Sequence, residues 1–267
     1  MSAVRYRALP LGGSLEAELT QRADGSLLVV SREPLQPYPA RLTDRFIGTA
    51  ERHPERTLVA KRVAGGDWRR VSYGEALRSA RSLAQALLDR GVSVERPLAI
   101  LSDNDISHLL LGLGALLAGV PYAPVSPAYS LLSQDHGKLK HILALLTPGL
   151  VFASGPSYAK AIAAAVPPEM RLVLGEGVLA ERESESFADL LATVPTAAVD
   201  AAHAAVGPDT IAKFLFTSGS TKLPKGVINT QRMLCANQQM IVQCFPSLAA
   251  EPPVLVDWLP WNHTFGG

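Results

Sequence analysis

Residues 211–230 read IAKFLFTSGSTKLPKGVINT, an apolar stretch followed by hydroxyl, glycine and lysine residues. The alternation from Ile211 to Phe216 predicts a strand, and Val227 to Asn229 is expected to return as a second strand. Glycines allow the backbone to approach a ligand closely, while hydroxyl and backbone N–H groups donate hydrogen bonds to anions. The loop between the strands therefore predicts a cradle for a polyphosphate, in which Lys225 supplies a positive charge.

Composition alone leaves a second interpretation open, because serine, threonine, glycine and proline are also typical of a plain hairpin turn. A loop of the GxxxxGK(S/T) type is excluded, since Pro224 stands where the second glycine is needed and Val227 follows Gly226. The order of the residues is more specific than their composition, and it favours the phosphate loop over the plain turn.

The ordered string resembles the phosphate-binding signature of adenylate-forming enzymes, written (S/T)SG(S/T)TGxPKG. This superfamily comprises acyl-CoA synthetases, luciferases and peptide-synthetase adenylation domains. The matching residues are Thr217, Ser218, Gly219, Ser220, Thr221, Pro224, Lys225 and Gly226. Lys222 departs from the signature, because most members have glycine there; it either adds a phosphate contact or stiffens the loop. The resemblance implies that Thr217 to Thr221 and Lys225 hold the β- and γ-phosphates of ATP, with Thr221 beside Mg2+.

A second segment, DWLPWNHTFGG at residues 257–267, resembles the next motif of that superfamily, in which Pro-x-x-His follows the phosphate loop. The match falls on Pro260 and His263. A lone histidine is more often a structural hydrogen-bonding residue, but imidazole can also donate to a carboxylate and change charge near neutrality. The resemblance implies that His263 orients the acid. The aromatic residues of the segment either pack in the core or contact substrate; they are Trp258, Trp261 and Phe265.

The form of this segment, together with RADGSLLVVS at residues 22–31 and LTDRF at residues 42–46, resembles feruloyl-CoA synthases. Those enzymes are ligases for hydroxycinnamic acids, which implies a place in phenylpropanoid degradation. The implied reaction has two steps. A carboxylate attacks the α-phosphorus of ATP to give an acyl-adenylate and pyrophosphate, and the thiol of coenzyme A then displaces AMP. The identity of the acid stays open.

Two other function classes stay open. The same phosphate loop serves adenylation domains that transfer the acyl group to a carrier protein, and a non-catalytic nucleotide-binding remnant is the third class. No segment matches the later family motifs for adenine, ribose, the hinge or the catalytic lysine. We therefore expect an N-terminal fragment with little or no ligase activity of its own, whose adenine, ribose and CoA contacts lie beyond Gly267.

Composition is typical of a globular enzyme, with 48% hydrophobic and 18% charged residues and a net charge of +1. This charge gives no reason to expect nucleic acid or an anionic membrane as partner, so the expected partners are a small carboxylic acid, ATP and CoA. The oligomeric state stays open. The most apolar run, Leu109 to Val120, is shorter than the roughly 20 residues of a membrane span, and Met1 to Arg7 lack a secretory signal. Cytoplasmic location is the expectation.

Helices and strands alternate from Leu42 onward, which predicts an α/β fold of layered, mostly parallel sheets flanked by helices. The resemblance implies the N-terminal part of the large adenylate-forming domain. We expect three parts: residues 1–40 as an extension with a hairpin that turns at Asp24 and Gly25, residues 41–205 as an α/β subdomain, and residues 206–267 as the start of a second α/β subdomain that carries the phosphate loop.

Local patterns predict individual elements. Ser72 and Glu75 predict a capping box, and Gly119 is expected to end a helix that starts near Asp105. Ser133 is expected to cap a helix with one apolar face; that face consists of Leu139, Ile142, Leu143 and Leu146. A buried strand is expected at 97–101, and further strands are expected at 122–125, 150–153 and 172–174. The histidines that we expect not to bind metal are His108, His136 and His141.

Overall fold

The computed structural model describes residues 11–14, 16–63, 65–217, 223–250 and 252–267. The chain divides into two compact units. The larger unit consists of residues 40–231 and 258–267, and the smaller unit consists of the residues up to 39 together with 232–257.

The strands are β1 (Ala17–Gln21), β2 (Leu27–Ser31), β3 (Thr57–Arg62), β4 (Trp68–Ser72), β5 (Leu98–Leu101), β6 (Tyr122–Val125), β7 (Leu150–Ala153), β8 (Leu172–Leu174), β9 (Glu185–Ser186), β10 (Ile211–Thr217) and β11 (Lys225–Thr230). The helices are α1 (Leu42–Arg52), α2 (Tyr73–Asp89), α3 (Ile106–Ala118), α4 (Pro127–Leu131), α5 (Gly137–Leu146), α6 (Ala159–Ala165), α7 (Phe187–Leu191), α8 (Ala197–Ala205), α9 (Gln231–Cys244) and α10 (Ser247–Ala250).

A seven-stranded sheet forms the centre of the larger unit, with strand order β11-β10-β6-β5-β7-β8-β9. All neighbouring strands in it are parallel except β10 and β11, which are antiparallel. This confirms the predicted α/β fold with a mostly parallel sheet. The parallel strands end at one edge of the sheet, which is the edge where open α/β sheets bind ligands.

Helices cover both faces of this sheet, which explains why its central strands are apolar throughout. Leu98 and Ile100 of β5 point to one face and pack in a core with α2 and α3. Ala99 and Leu101 point to the other face and pack with α5 and α6. All four side chains are fully buried.

Several local predictions are confirmed. Ser72 and Glu75 form the capping box at the start of α2, and Gly119 ends α3 in a left-handed conformation with φ 69°. The predicted buried face of α5 is buried as a whole. The four predicted strands correspond to β5, β6, β7 and β8.

The prediction that Ser133 caps α5 is wrong. The helix begins at Gly137, and its N-cap position is His136, which has φ 52° and makes no side-chain cap. The Ser133 hydroxyl instead accepts the backbone N–H of His136, so it stabilises the turn before the helix. The chain between Val125 and α5 also contains α4, which the sequence did not indicate.

The sheet runs without interruption across the predicted subdomain boundary at residues 205 and 206, because β10 pairs with β6. The division into subdomains 41–205 and 206–267 stays a prediction, and this continuity does not favour it. In the smaller unit β1 and β2 form the predicted hairpin, and the turn glycine, Gly25, has φ 84°. Within the described ranges, no helix combines the length and the apolar character that crossing a membrane requires.

Candidate functional site

The two ends of the predicted phosphate loop lie side by side. Thr217 at the end of β10 is the antiparallel partner of Lys225 at the start of β11, and Phe216 is the partner of Gly226. Thr217 is half-buried, whereas Lys225 is exposed. The predicted site residues Ser218, Gly219, Ser220 and Thr221, together with Lys222, lie outside the described residues.

The position of this hairpin in the sheet fits a ligand loop. Because β10 is parallel to β6, Thr217 lies at the carboxyl edge, where β5, β6 and β7 also end. Lys225 has no carboxylate partner among the residues that the structure describes. A hydroxyl and an ammonium on paired residues at this edge suit an anionic ligand.

A side chain from α5 contacts the same loop. Nε2 of His141 donates a hydrogen bond to the carbonyl oxygen of Pro224, at 3.1 Å. His141 is half-buried and Pro224 is buried. Sequence reasoning considered His141 only as a metal ligand and missed this contact, because nothing in the local pattern shows that α5 lies under the loop.

The predicted acid-orienting residue, His263, is exposed and lies in a turn. Its backbone N–H donates to the carbonyl of Pro260 at 3.0 Å. Its ring Nδ1 accepts the backbone N–H of Phe265 at 3.2 Å. Because Nδ1 is occupied as an acceptor, the proton of the neutral ring lies on Nε2. His263 can therefore offer Nε2–H to a carboxylate.

The aromatic residues of this segment differ in burial. Trp258 and Phe265 are 82% and 78% exposed, so they do not pack in a core of this chain. Trp261 is half-buried and makes an edge contact with His108 of α3, with ring centroids 5.2 Å apart.

The segment is also tied to the sheet through Asn104, which follows β5 at its carboxyl end. The Asn104 side chain donates to the carbonyl of Leu259 at 2.7 Å and accepts the N–H of Trp261 at 3.0 Å. Sequence reasoning missed Asn104. The available signal was its place directly after a buried strand, where polar side chains tend to serve a binding site.

Two buried titratable residues, His108 and Lys213, interact electrostatically, and His108 also contacts this segment through Trp261. His108 is 3% exposed, and its Nδ1 donates to the carbonyl of Asp103 at 3.2 Å. Burial lowers the pKa of His108 to about 4, and the charge of Lys213 also opposes its protonation. Lys213 on β10 is 7% exposed, and burial lowers its pKa to about 8. His108 is therefore neutral at neutral pH and packs as an aromatic ring.

Gln231, the first residue of α9, is held by two hydrogen bonds. Its side-chain oxygen accepts the N–H of Leu42 at 2.9 Å, and its backbone N–H donates to Thr210 at 3.0 Å. Because Gln231 is only 1% exposed, these bonds give it a structural role at the start of α1. In the described part of the chain, no group of three histidine, cysteine, aspartate or glutamate side chains is arranged to hold a metal ion.

The sequence of this chain is similar to those of several known proteins. The profile of the AMP-binding enzyme family matches residues 46–267. The chain is 28% identical over 225 residues to 4-coumarate--CoA ligase-like 9 of Arabidopsis thaliana, covering 82% of this chain and 36% of that protein. It is 27% identical over 228 residues to nonribosomal peptide synthetase 9 of Aspergillus fumigatus, covering 85% of this chain and 17% of that protein.

A similar solved structure is that of a putative long-chain-fatty-acid CoA ligase from Rhodopseudomonas palustris CGA009, with TM-score 0.65 and 24% identity. The match covers 85% of this chain and 53% of that one. At this identity the similarity shows the fold alone. The chain spans less than half of the length of both curated relatives described above.

Proposed function

The chain belongs to the AMP-binding enzyme family, and from this we propose that it forms part of an ATP-dependent acid–CoA ligase whose substrate is a hydroxycinnamate such as ferulate. The observation that carries the proposal is the signature between Thr217 and Gly226, whose described ends meet at the carboxyl edge of the sheet. Hydroxyls, glycines and a lysine at that place fit the triphosphate of ATP.

In this proposal Thr217, Ser218, Gly219, Ser220 and Thr221 donate hydrogen bonds to the β- and γ-phosphates. Lys225 lies opposite Thr217 and adds a charge-assisted bond, which is worth about 1.5–3 kcal/mol net. A magnesium ion beside the Thr221 hydroxyl would neutralise phosphate charge when bound. The donors thereby reduce the repulsion between an anionic acid and an anionic phosphate.

His263 is the proposed contact for the acid. Its Nε2–H is directed away from the bond that occupies Nδ1, so it can donate to one carboxylate oxygen. The other oxygen then attacks the α-phosphorus of ATP, the bond to pyrophosphate breaks, and an acyl-adenylate remains. Coenzyme A is the proposed acceptor in the second step, in which its sulfur bonds to the acyl carbon and AMP leaves.

The feruloyl assignment rests on the form of residues 257–267 and on the N-terminal stretches at 22–31 and 42–46. Transfer to a carrier protein is the second candidate, because a relative of similar identity is a peptide synthetase. We also propose that the 267-residue chain alone has little ligase activity, since it corresponds to 36% of the ligase-like relative. Cytoplasmic location remains part of this proposal.

Exchange of labelled pyrophosphate into ATP by the complete protein tests the function. We expect exchange with ferulate and other hydroxycinnamates, followed by thioester formation when CoA is added. Exchange that depends on fatty acids or amino acids, with hydroxycinnamates inactive, would contradict the proposed substrate. Acyl transfer to a carrier protein but not to CoA would favour the second candidate. The 267-residue chain, purified alone, is measured in the same assay.

A further inference from the structure

We propose that Asn104 is a positioning residue that holds the backbone of Leu259 to Trp261 and so sets the place of His263 at the acid site. The inference deepens the proposed function and rests on it. It is carried by the hydrogen bonds on either side of Pro260, from the Asn104 amide to Leu259 and from Trp261 to the Asn104 oxygen.

These two bonds need a side chain that both donates and accepts, which an amide does. The Leu259 carbonyl needs a donor, and the Trp261 N–H needs an acceptor, so the orientation of the Asn104 side chain is fixed by its backbone partners. Pro260 between them has no N–H to satisfy. Asn104 thus pairs with the segment as a neighbouring β-strand would, using one side chain.

Asn104 is supported by well-packed neighbours. This residue lies between β5, which is fully buried, and α3, whose N-cap is Asp105. The backbone N–H of Asn104 donates to the Asp103 carboxylate at 2.9 Å, and Asp105 forms an ion pair with Lys61 of β3. A side chain supported by such neighbours can fix the position of a loop that is exposed to solvent.

The position of the backbone that Asn104 holds is coupled to the position of His263 through two hydrogen bonds. The carbonyl of Pro260, between the two anchored groups, accepts the N–H of His263, whose ring accepts the N–H of Phe265. His108 supports the same place from below through its edge contact with Trp261. Moving the peptides at Leu259 to Trp261 therefore moves the imidazole, while the phosphate hairpin keeps its own contacts.

Asn104→Leu and Asn104→Asp in the complete protein separate this role from general stability. In Asn104→Leu, hydrogen exchange at the Trp261 amide should accelerate at least about tenfold, because its acceptor is gone. In Asn104→Asp the acceptor remains, so that amide stays protected, but the Leu259 carbonyl loses its donor. Both variants should raise the KM for the acid roughly tenfold and leave the KM for ATP within about twofold.

The pH dependence of Asn104→Asp gives a signature that a merely structural role does not produce. Protonation of the introduced carboxyl restores a donor to Leu259, so the acid KM relative to wild type should recover as the pH falls towards about 4, the ordinary pKa of an aspartate. Asn104→Leu should not recover. The charged and titratable neighbours that shift this transition are Lys61, Asp103, Asp105, His108, Lys213 and His263. The matched control is Asn237→Asp on the exposed surface of α9, which should behave as wild type.

If hydrogen exchange at the Trp261 amide is unchanged in Asn104→Leu, Asn104 does not hold this segment, whatever the activity of the variant. Faster exchange with an unchanged acid KM would overturn the positioning role. If the wild-type protein exchanges pyrophosphate into ATP without any added acid, the proposed function is wrong instead. This control is measured before any variant is made.

Discussion

Nε2 of His141 lies 3.1 Å from the carbonyl oxygen of Pro224, so α5 is tied to the phosphate loop one residue before β11 begins. The two residues are 83 positions apart in the sequence. Together with the pairing of Thr217 and Lys225, this bond fixes the described ends of the loop at the carboxyl edge of the sheet.

Replacing His141 with leucine should raise the KM for ATP about fivefold, because one hydrogen bond of about 1 kcal/mol is lost. His141→Gln keeps a donor and should restore most of the loss. The pyrophosphate exchange assay measures both, with the KM for the acid as internal reference. The control is His53→Leu, at an exposed position after α1. Equal effects of the leucine and glutamine variants would argue against a role for the bond.

Lys225→Ala should weaken ATP binding roughly tenfold or more, because a charge-assisted bond to phosphate contributes about 1.5–3 kcal/mol. Titration of the complete protein with ATP measures the loss directly. Lys160→Ala, on the exposed surface of α6, removes the same charge away from the loop and should leave affinity unchanged. If Lys225→Ala binds ATP as wild type does, the phosphate loop assignment is wrong.

His108 should make the free energy of unfolding depend on pH. Its pKa is lowered by burial from 6.5 to about 4, so between these values the unfolded chain binds a proton that the folded chain does not. Stability that is present above about pH 6.5 is therefore lost as the pH falls towards 4, by about 3 kcal/mol in total. Urea unfolding across this range should show the slope, and His108→Phe should lack that part of it. Parallel slopes for both proteins would contradict a buried neutral histidine.

Lys213→Met should stabilise the protein at pH 7. Burial lowers the pKa of Lys213 from 10.5 to about 8, so the charged amine costs free energy in the folded state at neutral pH. The expected gain in unfolding free energy is about 2–3 kcal/mol. The gain should shrink as the pH rises from about 8 towards 10.5, because the folded amine then loses its proton. A loss of stability at pH 7 would show that the ammonium is favourably bound.

Local signals account for the parts of the fold that could be predicted. The capping box at Ser72, the terminating Gly119 and the apolar face of α5 are each decided within a few residues, and the structure confirms them. The burial of Lys213 was not foreseen. The alternation from Ile211 to Phe216 predicts a strand but not which of its sides is buried; the pairing of β10 with β11 is irregular between Ile211 and Lys213, and both sides of β10 are covered.

The site was only half predictable for a physical reason. The residues of each signature, such as Thr217 and Lys225 or Pro260 and His263, lie within about ten positions of each other in the sequence, so their order can be recognised. Asn104 and His141 reach the site only through tertiary contacts, 155 and 83 positions from their partners. Single-sequence periodicity carries no information about which distant loops meet.

The separation between Asn104 and Leu259 also has a consequence during translation. At elongation rates of about 5–20 residues per second, Asn104 leaves the ribosome on the order of 10 s before Leu259 does. Helices and neighbouring strands form far faster than that. We therefore expect the Leu259 to Trp261 segment to join a surface whose local elements have already had time to form, with the amide of Asn104 bonded to water until its partners arrive.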